Sequence, residues 1–261
     1  MRIQYYVSTA VSAATTAVSR IYATAAPPTI TNSALAALRG LGLCQSTEAS
    51  RLQFNDMLEI FGFTFVGAGN LWRNARVDQS LGLTWKLGVA SLRWPSIGIP
   101  RRRISIILRE ILQVVKEVQG TDNLQLRESK MSIKRTVWHG MRLREINGLI
   151  DFVLWYGDPE KMETNLVVRV CQTGQILRPT ELLTYMGLLQ RDQERLQTKS
   201  RGVIYGILTD GTAFDFYRLD PDKTVRFQSI NWDGGLEITS WILGVIYWIM
   251  ADAANLSVAE I

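Results

Sequence analysis

The sequence predicts an α/β (α+β) domain, with one mixed central sheet flanked by helices. Three observations predict it. Residues 104–119 repeat apolar side chains at threes and fours, the spacing of one helix face. The second half alternates short runs of β-branched and aromatic residues with Gly, Pro and Asp clusters, the pattern of strands and turns. From residue 101 onward the elements then read helix, three strands, helix, three strands, helix, an order that layers helices on a sheet.

The bulk composition supports a packed chain. Hydrophobic residues make up 47% of the 261 residues and charged residues 20%, which suits a globular core. The net charge is +5, a mild basic excess that fits a nucleic-acid partner without requiring one. Cys44 and Cys171 form no disulfide framework or zinc spacing, so a reduced intracellular compartment, nucleus or cytoplasm, is favoured. The single histidine, His139, removes mechanisms that need several His ligands. No Gly-x-Ser-x-Gly elbow, phosphate-binding loop or dinucleotide fingerprint is present. The most apolar window, Trp241 to Met250, is too short for the roughly 20 residues of a membrane span, so no membrane association is expected.

Three regions follow in chain order. Residues 1–47 contain no acid, and Arg2, Arg20 and Arg39 stand among many Ala, Ser and Thr. That composition fits a polar N-terminus with some helix, a mitochondrial presequence, or, last, a secretory signal with Ala23-Thr24-Ala25 as a cleavage site. Residues 48–100 read as an accessory region. Glu48 to Phe61 has helical spacing, and the glycines and tryptophans beyond it read mainly as core, with base stacking as the competing use. Residues 101–261 read as the main domain.

Within that domain, Arg101-Arg102-Arg103 opens a helix over Ile104–Gln119, stopped by Gly120. Glu110 and Glu117 lie seven apart on it, near one face. Glu128 to Glu145 is the most basic segment, with a strand and a turn at Gly140; Lys130, Lys134, Arg135, Arg142 and Arg144 are its cations. Between Arg101 and Asn147 there are eleven Lys/Arg against five Asp/Glu, the footprint expected for phosphate backbones and equally that of a solvated strand face. Leu149 to Tyr156 reads as one strand carrying Asp151, Gly157-Asp158-Pro159-Glu160 as a turn, and Asn165 to Cys171 as an apolar strand broken only by Arg169. Pro179 opens a helix over Thr180–Leu196. Strands follow at Gly202–Leu208, Ala213–Leu219 and Thr224–Ile230, with turns at Asp210-Gly211 and Asp220–Lys223, then a closing helix from Leu236 to about Ala254.

Four segments in order carry a resemblance: Ile150 to Gly157, Glu163 to Gln172, Leu183 to Met186, and Tyr205 to Gly211. They resemble the central text of the PD-(D/E)xK nuclease-like superfamily, and within it a group of fungal nuclease-like proteins. The resemblance implies a restriction-endonuclease-like core whose acids hold magnesium, with a lysine that orients the attacking water. Two carboxylates on neighbouring strands suit a hard cation, and the cation lowers the pKa of bound water. Residue by residue, Asp151 matches the first strand acid, and Glu110, with Glu117 second, matches the helix acid. The family's Glu-Ala-Lys falls on Val170-Cys171-Gln172, so an aliphatic side chain and an amide replace a ligand and a lysine. Glu181 and Tyr185, one helical turn apart, and Glu163 at the mouth of the second strand offer substitute groups.

The leading expectation is therefore a nuclease fold that has lost cleavage and binds nucleic acid or a protein partner, without a cofactor. Its basic contacts would be Lys130, Lys134, Arg135, Arg142 and Arg144. The alternative is an active Mg2+-dependent phosphodiesterase. It would use Asp151, Glu110 and Glu181 as metal ligands, with Glu163 and Gln172 also at the catalytic site.

Overall fold

The computed structural model describes residues 32–40, 42, 44–67, 72, 100–128, 131–139, 142–156, 163–172, 177–196, 203–232 and 235–258. Residues 1–31, most of the Gly/Trp stretch, Lys130 and the turns at Gly140 and 157–160 lie outside them. The chain divides into two units, residues 1–45 and 46–261. The first contributes helix α1 (Asn32–Gly40), and strand β1 (Cys44–Glu48) runs across the boundary.

The second unit is an α/β fold. After a single 3-10 turn come α2 (Phe54–Phe61), β2 (Thr64–Gly67), α3 (Pro100–Gln119), β3 (Gln125–Arg127), β4 (Met131–His139), β5 (Arg142–Ile150) and β6 (Phe152–Tyr156). Then follow β7 (Glu163–Val170), α4 (Pro179–Leu196), β8 (Ile204–Thr209), β9 (Ala213–Leu219), β10 (Thr224–Asn231) and α5 (Leu236–Val258). Seven strands form the main sheet in the order β2-β10-β9-β8-β7-β6-β3. The β2/β10 and β7/β8 pairs are parallel and the others antiparallel. A separate, smaller sheet centres on the β4–β5 hairpin, in register from Met131 opposite Ile150 to His139 opposite Arg142.

The central strands β6, β7 and β8 are buried on both faces, which explains their continuous apolar runs, whereas β2 and β10 at one end are partly exposed. Phe152, Leu154, Leu166, Val168, Ile207, Phe214 and Phe216 face a core with α3 and α5. Val153, Val167, Ile204, Leu208, Tyr217 and Val225 face a second core with α2, α4 and the hairpin. Each fully buried large apolar side chain contributes about 1.5–3 kcal/mol. The closing helix α5 is apolar nearly all round because it packs across α3 and the sheet. Among the described residues, no helix is long and apolar enough to cross a membrane.

Local chemistry sets the turns. Asp210 Oδ1 accepts from Thr212 N, Thr212 Oγ1 and Ala213 N, each at 2.8 Å, while Gly211 takes φ +86°. Gly62 ends α2 in the left-handed region, its N–H donating to the Leu58 carbonyl at 2.7 Å.

Several predicted elements change on folding. The helix expected over Glu48–Phe61 is a 3-10 turn over Ala49–Arg51 followed by α2. Leu52 and Gln53 between them are extended, and Leu52 is buried. The strand expected over Leu149–Tyr156 is two strands in two sheets: Leu149 and Ile150 end β5, and β6 begins at Phe152. Asp151 is the bend between them. The reason is that Ile150 packs toward the hairpin core and Phe152 toward α3 and α5, so the chain changes sheets at one residue. The strand expected in the basic segment is two paired strands, β4 and β5. Strands β2 and β3, of four and three residues, were not predicted from the pattern because each is too short to show a period.

Candidate functional site

The bend at Asp151 puts a carboxylate where three elements converge, the start of α3, the end of β7 and the first turn of α4. Asp151 is 4% exposed. Its Oδ2 accepts from Arg169 Nη1 at 2.7 Å and from the Val170 backbone N–H at 3.0 Å. Its Oδ1 lies 3.2 Å from Arg101 Nη1. Arg101 also donates from Nη2 to the Glu128 carbonyl at 2.9 Å, and its guanidinium stands 5.5 Å from the Phe152 ring centroid.

Arg169 joins this acid to a second one. Its Nε donates to Glu181 Oε2 at 3.2 Å. Glu181 Oε1 accepts from Tyr185 Oη at 2.7 Å, and Tyr185 Oη accepts from the Leu149 N–H at 3.0 Å. Helix spacing puts Glu181 and Tyr185 on one face of α4, four residues apart. Strand alternation sends Arg169 to the same side of the sheet as Val167, while Val168 and Val170 pack toward α3 and α5. The phenol needs Gly148, since a Cβ there would stand 2.2 Å from Tyr185 Oη.

The group is closed in charge, with Arg101 and Arg169 against Asp151 and Glu181. Burial alone would lower the Arg169 pKa. The hydrogen bond to Asp151 and the charges of Glu181 and Asp151 outweigh that, and the guanidinium is held well above its ordinary value. Burial, then the Glu181 charge, pushes the Tyr185 phenol far above its ordinary value, so it remains a hydrogen-bond donor at neutral pH. Burial likewise raises the Cys171 thiol.

A divalent cation does not fit this donor set. Both Asp151 oxygens and Glu181 Oε2 are taken by guanidinium groups that would repel it, and Val170 offers only a backbone N–H. Among the described residues, no group of three or more His, Cys, Asp or Glu is placed to hold a metal.

The other expected site residues lie around or away from this centre. Glu181 joins Asp151 through Arg169. Glu110 is exposed on α3, whose contribution at Asp151 is Arg101. Glu117 is also exposed. Glu163 is the first residue of β7, opposite Tyr156. Gln172 is exposed just beyond β7. On the hairpin, Lys134 Nζ lies 3.0 Å from Glu145 Oε1, Arg135 Nε donates to Asp192 Oδ2 at 2.6 Å, and Arg144 Nη1 donates to Asp56 Oδ2 at 3.1 Å. His139 Nε2 is 2.9 Å from Glu59 Oε2. Arg142 stands in β5 opposite His139.

Arg101 and Arg169 are the functional residues that the sequence reading missed. Arg101 reads as a helix-opening charge and Arg169 as a flaw in an apolar strand. The signal was available for Arg169, because a lone cation in a strand buried on both faces needs a carboxylate partner.

No family model and no curated protein matches the chain. Among solved structures it is similar to the crystal structure of SSO0001, at 16% identity and a TM-score of 0.18, covering 76% of this chain and 78% of that one. A TM-score of that size defines no shared fold.

Proposed function

We propose that this chain is a PD-(D/E)xK nuclease-like scaffold that binds nucleic acid or a protein partner and no longer cleaves phosphodiesters. The observation that carries the reading is the pairing of Asp151 with Arg169 and Arg101. A nuclease of that class needs its strand acid open to a hard cation. Here guanidinium groups of the chain itself take the oxygens, and the positions of the family's second acid and lysine hold Val170 and Gln172. The retained acid then has a structural role, tying β7 to the bend and to α3. With two cysteines only, Cys44 and Cys171, the sequence has no disulfide framework, which supports a nuclear or cytoplasmic setting for such a binder.

Calorimetric titration of magnesium or manganese into the wild-type chain and Asp151→Ala tests this, alongside incubation with plasmid and single-stranded DNA and RNA. The expected result is no cation binding that depends on Asp151 and no cleavage. Cation binding lost in Asp151→Ala, together with cleavage lost in the same variant, would make the chain an active Mg2+-dependent phosphodiesterase and overturn the proposal.

A further inference from the structure

Strand β7 is held unequally along its length. Leu166, Val167 and Val168 pair with β6 on one side and with β8 on the other. Glu163, Thr164 and Asn165 extend beyond the start of β8, whose register begins at Tyr205 opposite Leu166. Among the described strands this end of β7 has β6 alone as a neighbour. That pairing is itself interrupted. Leu154 stands opposite Leu166 and Trp155 opposite Thr164, which leaves Asn165 as the extra residue of a β-bulge. From α4, Gln193 Nε2 donates to the Thr164 carbonyl at 2.8 Å and ties the segment down.

The Asn165 side chain adds a cost at the same place. The residue is 0% exposed, and neither its Oδ1 nor its Nδ2 makes a hydrogen bond. Strand alternation with Val167 turns it toward the α4 side of the sheet. Trp155, which packs on that side, also buries its Nε1 without a hydrogen bond. A buried amide without partners costs free energy that an aliphatic side chain of the same size does not. Opening the strand end hydrates both amide atoms and removes that cost. We infer that β7 carries a hinge at Asn165, where residues 163–165 peel from β6 while residues 166–170 stay in the sheet. The unpaired amide sets the opening equilibrium by destabilising the closed form. The hinge lies at the other end of β7 from Arg169 and the Asp151 cluster, so the inference goes beyond the loss of cleavage and does not depend on it.

The test measures amide hydrogen exchange of the full chain, residue by residue by NMR, together with urea unfolding. Residues 163–165 are expected to exchange about a hundredfold faster than residues 166–168, at rates that low urea leaves unchanged, since a local opening exposes little surface. Asn165→Leu keeps the shape of the side chain and removes both unpaired atoms, and Asn165→Val suits a strand. Either variant is expected to slow exchange at Glu163 and Thr164 about tenfold and to raise the urea midpoint, because the closed form no longer buries an unpaired amide. Equal protection of the two segments, exchange at 163–165 that accelerates with urea in step with global unfolding, or faster exchange with a lowered midpoint in both variants would each overturn the inference.

Discussion

Arg169 bridges two carboxylates that would otherwise face one another across the end of β7. Its side chain is 28% exposed, Asp151 6% and Glu181 18%, so the pairs are only partly screened by water. Removing one partner of such a group leaves charge without compensation. Arg169→Met is therefore expected to lower unfolding stability by about 1–3 kcal/mol, less than a fully buried pair because of the remaining solvent access. It also removes the guanidinium shared by Asp151 Oδ2, which keeps the Val170 N–H, and Glu181 Oε2. Millimolar magnesium should then raise the melting temperature of Arg169→Met and leave the wild type unchanged. Equal stabilisation of both proteins by magnesium would mean that Arg169 does not stand where a cation would. Gly148 makes the same cluster intolerant of one carbon. A Cβ there meets the Tyr185 ring and oxygen at 2.2–2.8 Å, so Gly148→Ala is expected to cost about 1–3 kcal/mol in urea unfolding by displacing the phenol from Glu181 and Leu149 N–H. An unchanged midpoint would show that Tyr185 relaxes freely.

The long elements were legible because their period survives in the sequence. The helix face from Ile104 to Val115 and the strands Ala213–Leu219 and Thr224–Asn231 are set by apolar spacing and by the turns between them. The join at Asp151 was not legible, because β5 and β6 are contiguous text and the switch of sheets rests on which core each neighbour enters. The candidate site was half legible. Asp151, Glu181 and Tyr185 show as polar groups at informative spacings, whereas the partners Arg101 and Arg169 come from 50 and 18 residues away. Helix α3 has a second long-range tie of this kind. Ser105 Oγ donates to Glu128 Oε2 at 2.9 Å, and Arg109 Nη2 donates to the same carboxylate at 2.7 Å. Burial alone would raise the Glu128 pKa, but the hydrogen bonds from Arg109 and Ser105 and the charges of Arg109 and Arg101 overcome that and lower it. With the folded value below the unfolded one, the unfolded chain binds more protons in that interval, so stability rises with pH there. The contribution is present above the ordinary carboxylate pKa and is lost as pH falls through the lowered folded value. Glu128→Gln should accordingly flatten the acid limb of the stability curve below the ordinary carboxylate range, measured as urea midpoints. An acid limb parallel to wild type would assign that limb to other carboxylates.

At the scale of the molecule, the net charge of +5 is not concentrated on the hairpin, since its cations Lys134, Arg135 and Arg144 each face an acid. Exposed ion pairs are worth about 0–1 kcal/mol, so a phosphate can displace Asp192 from Arg135 at little cost, whereas the Glu145 carboxylate opposite Lys134 is buried and holds its cation more firmly. Lys134 is 60% exposed and Arg135 46%, which leaves both within reach of a duplex backbone. If the hairpin is a nucleic-acid surface, three phosphate contacts give a slope of log affinity against log salt of roughly −2.7 on duplex DNA. Lys134→Ala and Arg135→Ala should each reduce its magnitude by about 0.9, with urea midpoints as the control for folding. A slope near zero, or one untouched by these substitutions, removes the hairpin as a phosphate surface. Asp56 and Asp192 would then be read as internal partners that fasten the hairpin to α2 and α4, and Glu145 as one that ties β4 to β5. Arg144 to Asp56 and Arg135 to Asp192 already tie those elements together, and a binding role would pass to a protein partner.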